Sequence, residues 1–103
     1  MIYNKLVRDR IPEIITNQGG KTETRILSPE EYRACLSQKL DEEVGEYHQD
    51  QNAEELADIL EVVYALAEAL GCSREELMEI YRKKHDARGG FEQRIFLISS
   101  EQS

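Results

Sequence analysis

Three times in this chain a small polar residue stands three places ahead of a glutamate at the head of an amphipathic run: Ser28 before Glu31, Asn52 before Glu55, and Ser73 before Glu76. That spacing starts a helix, because the first side chain caps a free amide and the glutamate can reach back to the cap. Pro29 adds a residue suited to the first helical position. The marks predict helices from 29 to about Tyr47, from just after Asn52 to near Leu70–Gly71, and from just after Ser73 to about Ala87. A shorter helix is expected in "IPEIITNQGG", with Pro12 in its first turn and Gly19-Gly20 at its stop. "KTETRIL" at 21–27 and "QRIFLI" at 93–98 read as short strands that could pair. The expected architecture is a single, mainly α domain over 1–103, with a central helical hairpin at 29–70.

With 103 residues the chain fits one domain with a modest core. There is no apolar run long enough to span a membrane and no signal-peptide pattern at the start. Two cysteines without a motif, Cys35 and Cys72, fit a reducing cytoplasm. The net charge of −8 is unevenly spread. Residues 28–80 hold fifteen acids against three Lys/Arg, whereas 1–25 and 81–103 each hold five Lys/Arg against three acids. The acidic middle argues against nucleic-acid backbone binding and suits a cation; the basic ends suit an anion.

On the first long helix, Tyr32, Leu36, Leu40, Val44 and Tyr47 form an apolar stripe. Glu43 falls inside it and Glu46 on its border, beside Lys39. The second helix is apolar over most of its girth, so it should be buried on several sides. Its exposed wedge carries Glu54, Glu61 and Glu68, while Glu55 and Asp58 lie outside that wedge. In an antiparallel hairpin Glu43 and Asp58 share one height, and Glu46 and Glu55 another. Four acids would then face one another across an apolar seam. Like charges at ~4 Å repel by about 4 kcal/mol at an effective dielectric of 20, so such a group protonates or takes a cation. For any one of these acids a plainer account exists. Glu55 could simply close its capping box, and Glu43 could pair with Lys39. The set of four is harder to explain so. Oxygen donors without Cys or His at ligand spacing favour Mg²⁺ or Mn²⁺ over Ca²⁺, since no EF-hand loop is present.

"EEVGE" at 42–46 followed by "ELAD" at 55–58 resembles the EExxE…ExxD signature of the MazG-like, all-α nucleoside triphosphate pyrophosphohydrolases, a group that includes dimeric dUTPases and phosphoribosyl-ATP pyrophosphohydrolases. "YNKLVRDRIPEII" at 3–15 and "KKHDARGGF" at 83–91 resemble the flanking motifs of one branch of small members. The resemblance implies Mg²⁺-dependent hydrolysis of a nucleotide between its α- and β-phosphates, with Glu43, Glu46, Glu55 and Asp58 as metal ligands. Only eight residues separate Glu46 from Glu55, whereas many members have a longer link, and loop size shapes the nucleotide pocket.

A carboxylate not fully used by the metal can accept a proton from the attacking water, and Glu46 and Glu42 are the candidates. Lys39, Lys5, Arg8, Lys84 and Arg88 are the candidate phosphate-binding cations. For Lys84 and Arg88 the alternative is compensation of charge at a helix end, and for Lys5 and Arg8 surface pairing with Asp9 and Glu13. His48 and His85 lack ligand spacing and read as structural or solvent-facing. Tyr47 and Tyr64 read as core or pocket wall. The apolar girth of the second helix predicts a homodimer or higher homo-oligomer that completes a four-helix bundle, as the resemblance also implies. The competing function is a non-catalytic helical interaction or nucleotide-sensing module with an acidic seam. Such an interaction module would bind its partner in chelator and ignore Mg²⁺ in its thermal midpoint.

Overall fold

The capping signals become helices where the sequence puts them. The computed structural model describes residues 2–101, and four helices form there: α1 (Ile11–Asn17), α2 (Pro29–Asp50), α3 (Ala53–Ala69) and α4 (Arg74–Arg88). Ser28 Oγ accepts the Glu31 amide at 3.2 Å, and Glu31 Oε1 returns to accept the Ser28 amide at 3.1 Å. Ser73 and Glu76 repeat that box at 3.1 Å in both directions. Asn52 Oδ1 accepts the Glu55 amide at 3.0 Å. Three helices stop on glycine, α4 at Gly89 (φ +79°), whose amide donates to the His85 carbonyl at 2.7 Å. Gly19 at φ +89° ends α1, and the Gly20 amide donates back to the Ile15 carbonyl at 2.9 Å. Gly71 at φ +84° ends α3, where the Cys72 amide donates to the Ala67 carbonyl at 2.9 Å. In each case a residue free to turn left-handed satisfies carbonyls the helix leaves open.

α2 runs one turn beyond the expected Tyr47, to Asp50. Gln51 then adopts φ +48°, and only Gln51 and Asn52 lie between the helices. So short a link forces α2 and α3 into antiparallel contact. α3 also meets α4, with the Tyr64 hydroxyl 4.0 Å from Met78 Sδ. α1 packs against no other helix, and α4 does not reach α2.

The hairpin seam holds what core there is. Leu36, Val62 and Ala67 are buried; Tyr32, Leu40, Val44 and Tyr47 are partly covered. The expectation that α3 is buried on several sides is not met within one chain, since Leu56 and Leu60 stay about half exposed. The accessible surface of 9554 Å² compares with roughly 6,000 Å² for a compact protein of 11.9 kDa. The radius of gyration of 18.4 Å compares with about 13 Å for a compact chain of this length.

The two expected strands do not form; among the described residues there is no strand. The reason lies in what they would have to cover. A lone two-stranded ribbon is marginal in water, and it needs a layer against its apolar face. "RIFLI" is apolar on both faces, and Phe96 and Ile98 remain 87% and 90% exposed. Ile26, in the other segment, is 95% exposed. Arg94 at φ +57° breaks the extended run near its start, and Arg25 turns to Glu31 at 3.0 Å. No helix is long and apolar enough to cross a membrane among the described residues. Cys35 and Cys72 are free thiols, partly covered.

Candidate metal centre

The acids expected to converge do so. Glu43 and Glu46 from α2 and Glu55 and Asp58 from α3 each offer a carboxylate oxygen, and these oxygens all lie within 4.8 Å of one another. The spacing on each helix is three, which keeps each pair on one face. The short link between the helices supplies the rest. Glu43 is 8% exposed, Glu55 and Asp58 are partly covered, and Glu46 is on the open rim.

Two buried oxygens have no hydrogen-bond partner among the described residues: Glu43 Oε2 and Glu55 Oε2. A buried acceptor left unmade costs about 1–3 kcal/mol, and more when charged. The charges also disfavour ionisation. Burial first, then the Glu46 charge, push the carboxyl of Glu43 above the usual range, with Asp58 adding to the rise and Lys39 opposing it. Burial, then Glu46, push Glu55 the same way, with Asp50 and Asp58 adding to it. Glu46 therefore presses on both partners at once.

A divalent cation answers both problems. An octahedral ion with oxygens at about 2.1 Å spaces opposite ligands about 4.2 Å apart, and one with oxygens at ~2.5 Å spaces them about 5 Å apart. The 4.8 Å envelope of this all-oxygen set lies between those two sizes and does not choose between them. The residues present thus fit a hard metal ion, and the cluster could hold one.

Among the described residues two cations already touch the set. Lys39 Nζ lies 3.5 Å from Glu43 Oε1, one turn earlier on α2. Arg8 reaches across from the N-terminal segment, its Nη2 donating to Asp58 Oδ1 at 2.7 Å. Surface pairing of Arg8 with Asp9 or Glu13 does not occur; Arg10 takes Glu13 instead, at 3.4 Å. Residues 3–6 line a shallow depression of about 250 Å³ with Cys35, Gln38, Lys39 and Glu42 of α2. Lys5 and Glu42 therefore lie there, outside the quartet, and the Lys5 ammonium sits 5.9 Å over the Tyr3 ring. Lys84 and Arg88 stand exposed at the end of α4, and one chain does not bring them to the acids.

A second, open cleft of about 430 Å³ adjoins Asp58 and is walled by Arg8, Tyr64 and Arg74, with Glu54 and Glu61 also on its lining. The Arg74 guanidinium lies 3.9 Å over the Tyr64 ring, a cation–π contact. Sequence reasoning missed Arg74, which sits in the first turn of α4 and reads there as an ordinary helix residue. Its one available signal was a position directly after a strong cap on a helix that must return along α3. His48 and His85 are exposed beside Tyr47 and Tyr81, with ring centroids 5.9 Å and 5.8 Å apart, and neither joins the quartet.

No family model and no solved structure matches this chain. It is similar to a Mycolicibacterium smegmatis protein that carries only the description "Uncharacterized protein", at 57% identity over 42 residues. That stretch spans 41% of this chain and 43% of the other protein, so it brings no activity with it.

Proposed function

We propose that the protein is a Mg²⁺-dependent nucleotide pyrophosphohydrolase, with Mn²⁺ as the alternative ion, that splits a nucleoside triphosphate or related nucleotide into a monophosphate and pyrophosphate. The observation that carries the reading is the quartet itself: four carboxylates from two helices, two with buried oxygens that lack a partner among the described residues. The resemblance of "EEVGE" and "ELAD" to the MazG-like signature supplies the reaction.

Glu43, Glu46, Glu55 and Asp58 would hold the ion, which when bound supplies charge neutralisation for phosphate oxygens and a more acidic water. Everything else falls to the chain. Glu46, which is exposed in the quartet, would take a proton from water; Glu42, one residue before the quartet, is the other candidate base. Lys39 holds the buried Glu43 in place and lends positive charge to the phosphates. Lys5 and Arg8 bring cations from the N-terminal segment, and Lys84 and Arg88 would come from α4 of a neighbouring chain. That last assignment goes with a homodimer or higher homo-oligomer, a cytoplasmic assembly in which the exposed Leu56, Leu60, Ile80 and Tyr81 are covered and a four-helix bundle is completed.

A screen of nucleoside triphosphates with Mg²⁺, reading pyrophosphate and phosphate separately, tests the reading. Pyrophosphate release that stops with chelator and with Glu43→Gln or Asp58→Asn is the expected result. Intact triphosphates throughout, with Mn²⁺ as well as Mg²⁺, or phosphate alone, would defeat it.

A further inference from the structure

The bond between Arg8 and Asp58 joins a basic residue of a coil segment to one of the four candidate ligands. We propose that Arg8 is an exchangeable counter-ion: it holds Asp58 while the acidic centre is free of metal, and a divalent ion displaces it toward the phosphate chain of the substrate. The proposal rests on the metal-binding reading of the quartet, which the buried and unpartnered Glu43 oxygen supports independently of Arg8.

Among the described residues two cations touch the four acids, and only one of them can leave easily. Lys39 lies on α2 itself, its side chain only 22% exposed, at a spacing the helix maintains. Arg8 lies before α1 on a segment without regular structure, and its side chain is more than half exposed. Its contact is a single bond from one nitrogen to one oxygen rather than a two-pronged clasp. Such a half-exposed, one-bond pair is weak enough to exchange. An ion taken up by Asp58 repels the guanidinium at once, since both are positive. The freed group has somewhere to go, because Arg8 already lines the cleft beside Asp58 that Arg74 and Tyr64 also wall. A guanidinium there meets a polyphosphate with a geometry suited to bind two of its oxygens. One residue thus lowers the cost of four crowded acids before loading and serves the substrate after it.

Direct Mn²⁺ binding to the full chain, followed by calorimetry or by the signal of the free ion, tests this with wild type, Arg8→Gln and Arg8→Lys. If Arg8 competes with metal, Arg8→Gln binds Mn²⁺ more tightly, by roughly two- to fivefold, while Arg8→Lys stays near wild type. Pyrophosphate binding to the Mn²⁺-loaded protein should move the other way, weakening about tenfold in Arg8→Gln, as expected when a charged partner of a phosphate is lost. The sign separates this role from a merely structural one, which would leave metal affinity unchanged or lower it. Unchanged or weaker Mn²⁺ binding in Arg8→Gln overturns the exchange, as does a wild type that takes up no Mn²⁺. The expected order of Mn²⁺ affinities in a protein that releases no pyrophosphate from any triphosphate supports the exchange and defeats the hydrolase reading alone.

Discussion

Glu31 and Glu55 occupy the same place on successive helices, three residues after the cap, and they do opposite things. At α2 the Glu31 carboxylate folds back on the Ser28 amide and also takes Arg25 at 3.0 Å. The hydrogen bond from Arg25 and then the Ser28 amide pull its pKa down to about 2. At α3 the cap is made from one side only: Asn52 receives the Glu55 amide, but the Glu55 side chain does not return. It turns into the seam, keeps a buried oxygen without a partner among the described residues, and its pKa is pushed up. The same local signal is thus satisfied in one region and left unsatisfied in the other. A carboxylate withheld from its own cap is available for something the chain alone does not supply.

The sharpest way to break this contrast is to neutralise each glutamate in turn. Glu55→Gln should lower pyrophosphate release at least about a hundredfold, the scale on which metal centres respond to loss of a supporting group. Glu31→Gln should leave turnover near wild type, since an amide oxygen can still accept the Ser28 N–H. Mg²⁺ sharpens the same comparison without turnover. At about a hundred times its Kd, a bound ion adds about 2.7 kcal/mol of stability. Wild type and Glu31→Gln should show that gain in thermal midpoint, and Glu55→Gln should lose most of it. Equal responses from the two variants would mean that Glu55 is no more than a capping residue.

Removing the caps themselves gives the next largest effect. Ser28→Ala and Asn52→Ala each delete one accepted amide, worth about 1 kcal/mol, and should lower the thermal midpoint by about 4–8 °C in a domain of this size. Their consequences for metal should differ. Asn52→Ala loosens the first turn of α3, which carries Glu55, and so weakens Mn²⁺ binding. Ser28→Ala frays a helix end four turns away from Glu43, and Mn²⁺ affinity should hold.

The helices and the quartet were legible in the sequence because both follow from local rules. Caps name helix starts, a spacing of three puts two acids on one face, and a short polar link brings the two faces together. Even the Lys39 contact with Glu43 follows from one turn of helix. What the sequence hid was non-local. Nothing near Arg8 indicates Asp58 fifty residues away, and the nearer Glu13 is the more obvious partner. "RIFLI" and "KTETRIL" have the composition of strands, but a strand also needs a sheet and a layer above it, which this chain by itself does not provide. The apolar girth of α3 was visible, whereas no described residue of the same chain covers Leu56 and Leu60.

The smallest effect is a dependence of stability on pH, and it separates the two glutamates most cleanly by sign. The Glu31 pKa is depressed in the folded state, so its contribution is fully present above the ordinary carboxylate range and is lost only as pH falls toward about 2. For Glu43 and Glu55 the folded pKa is raised, so the folded state binds protons that the unfolded state has already released. Stability from that source is present below the ordinary carboxylate pKa near 4.5 and falls as pH rises through the higher, folded value. With chelator, the midpoint of thermal unfolding should therefore decline between mildly acidic and neutral pH, and Glu43→Gln should flatten that decline. Saturating Mg²⁺ should reverse it, because the ion binds the ionised carboxylates that low pH removes. A chelated protein whose midpoint rises over that interval would mean the acids of the seam are no more strained than Glu31, and the contrast between the two helix starts would lose its physical basis.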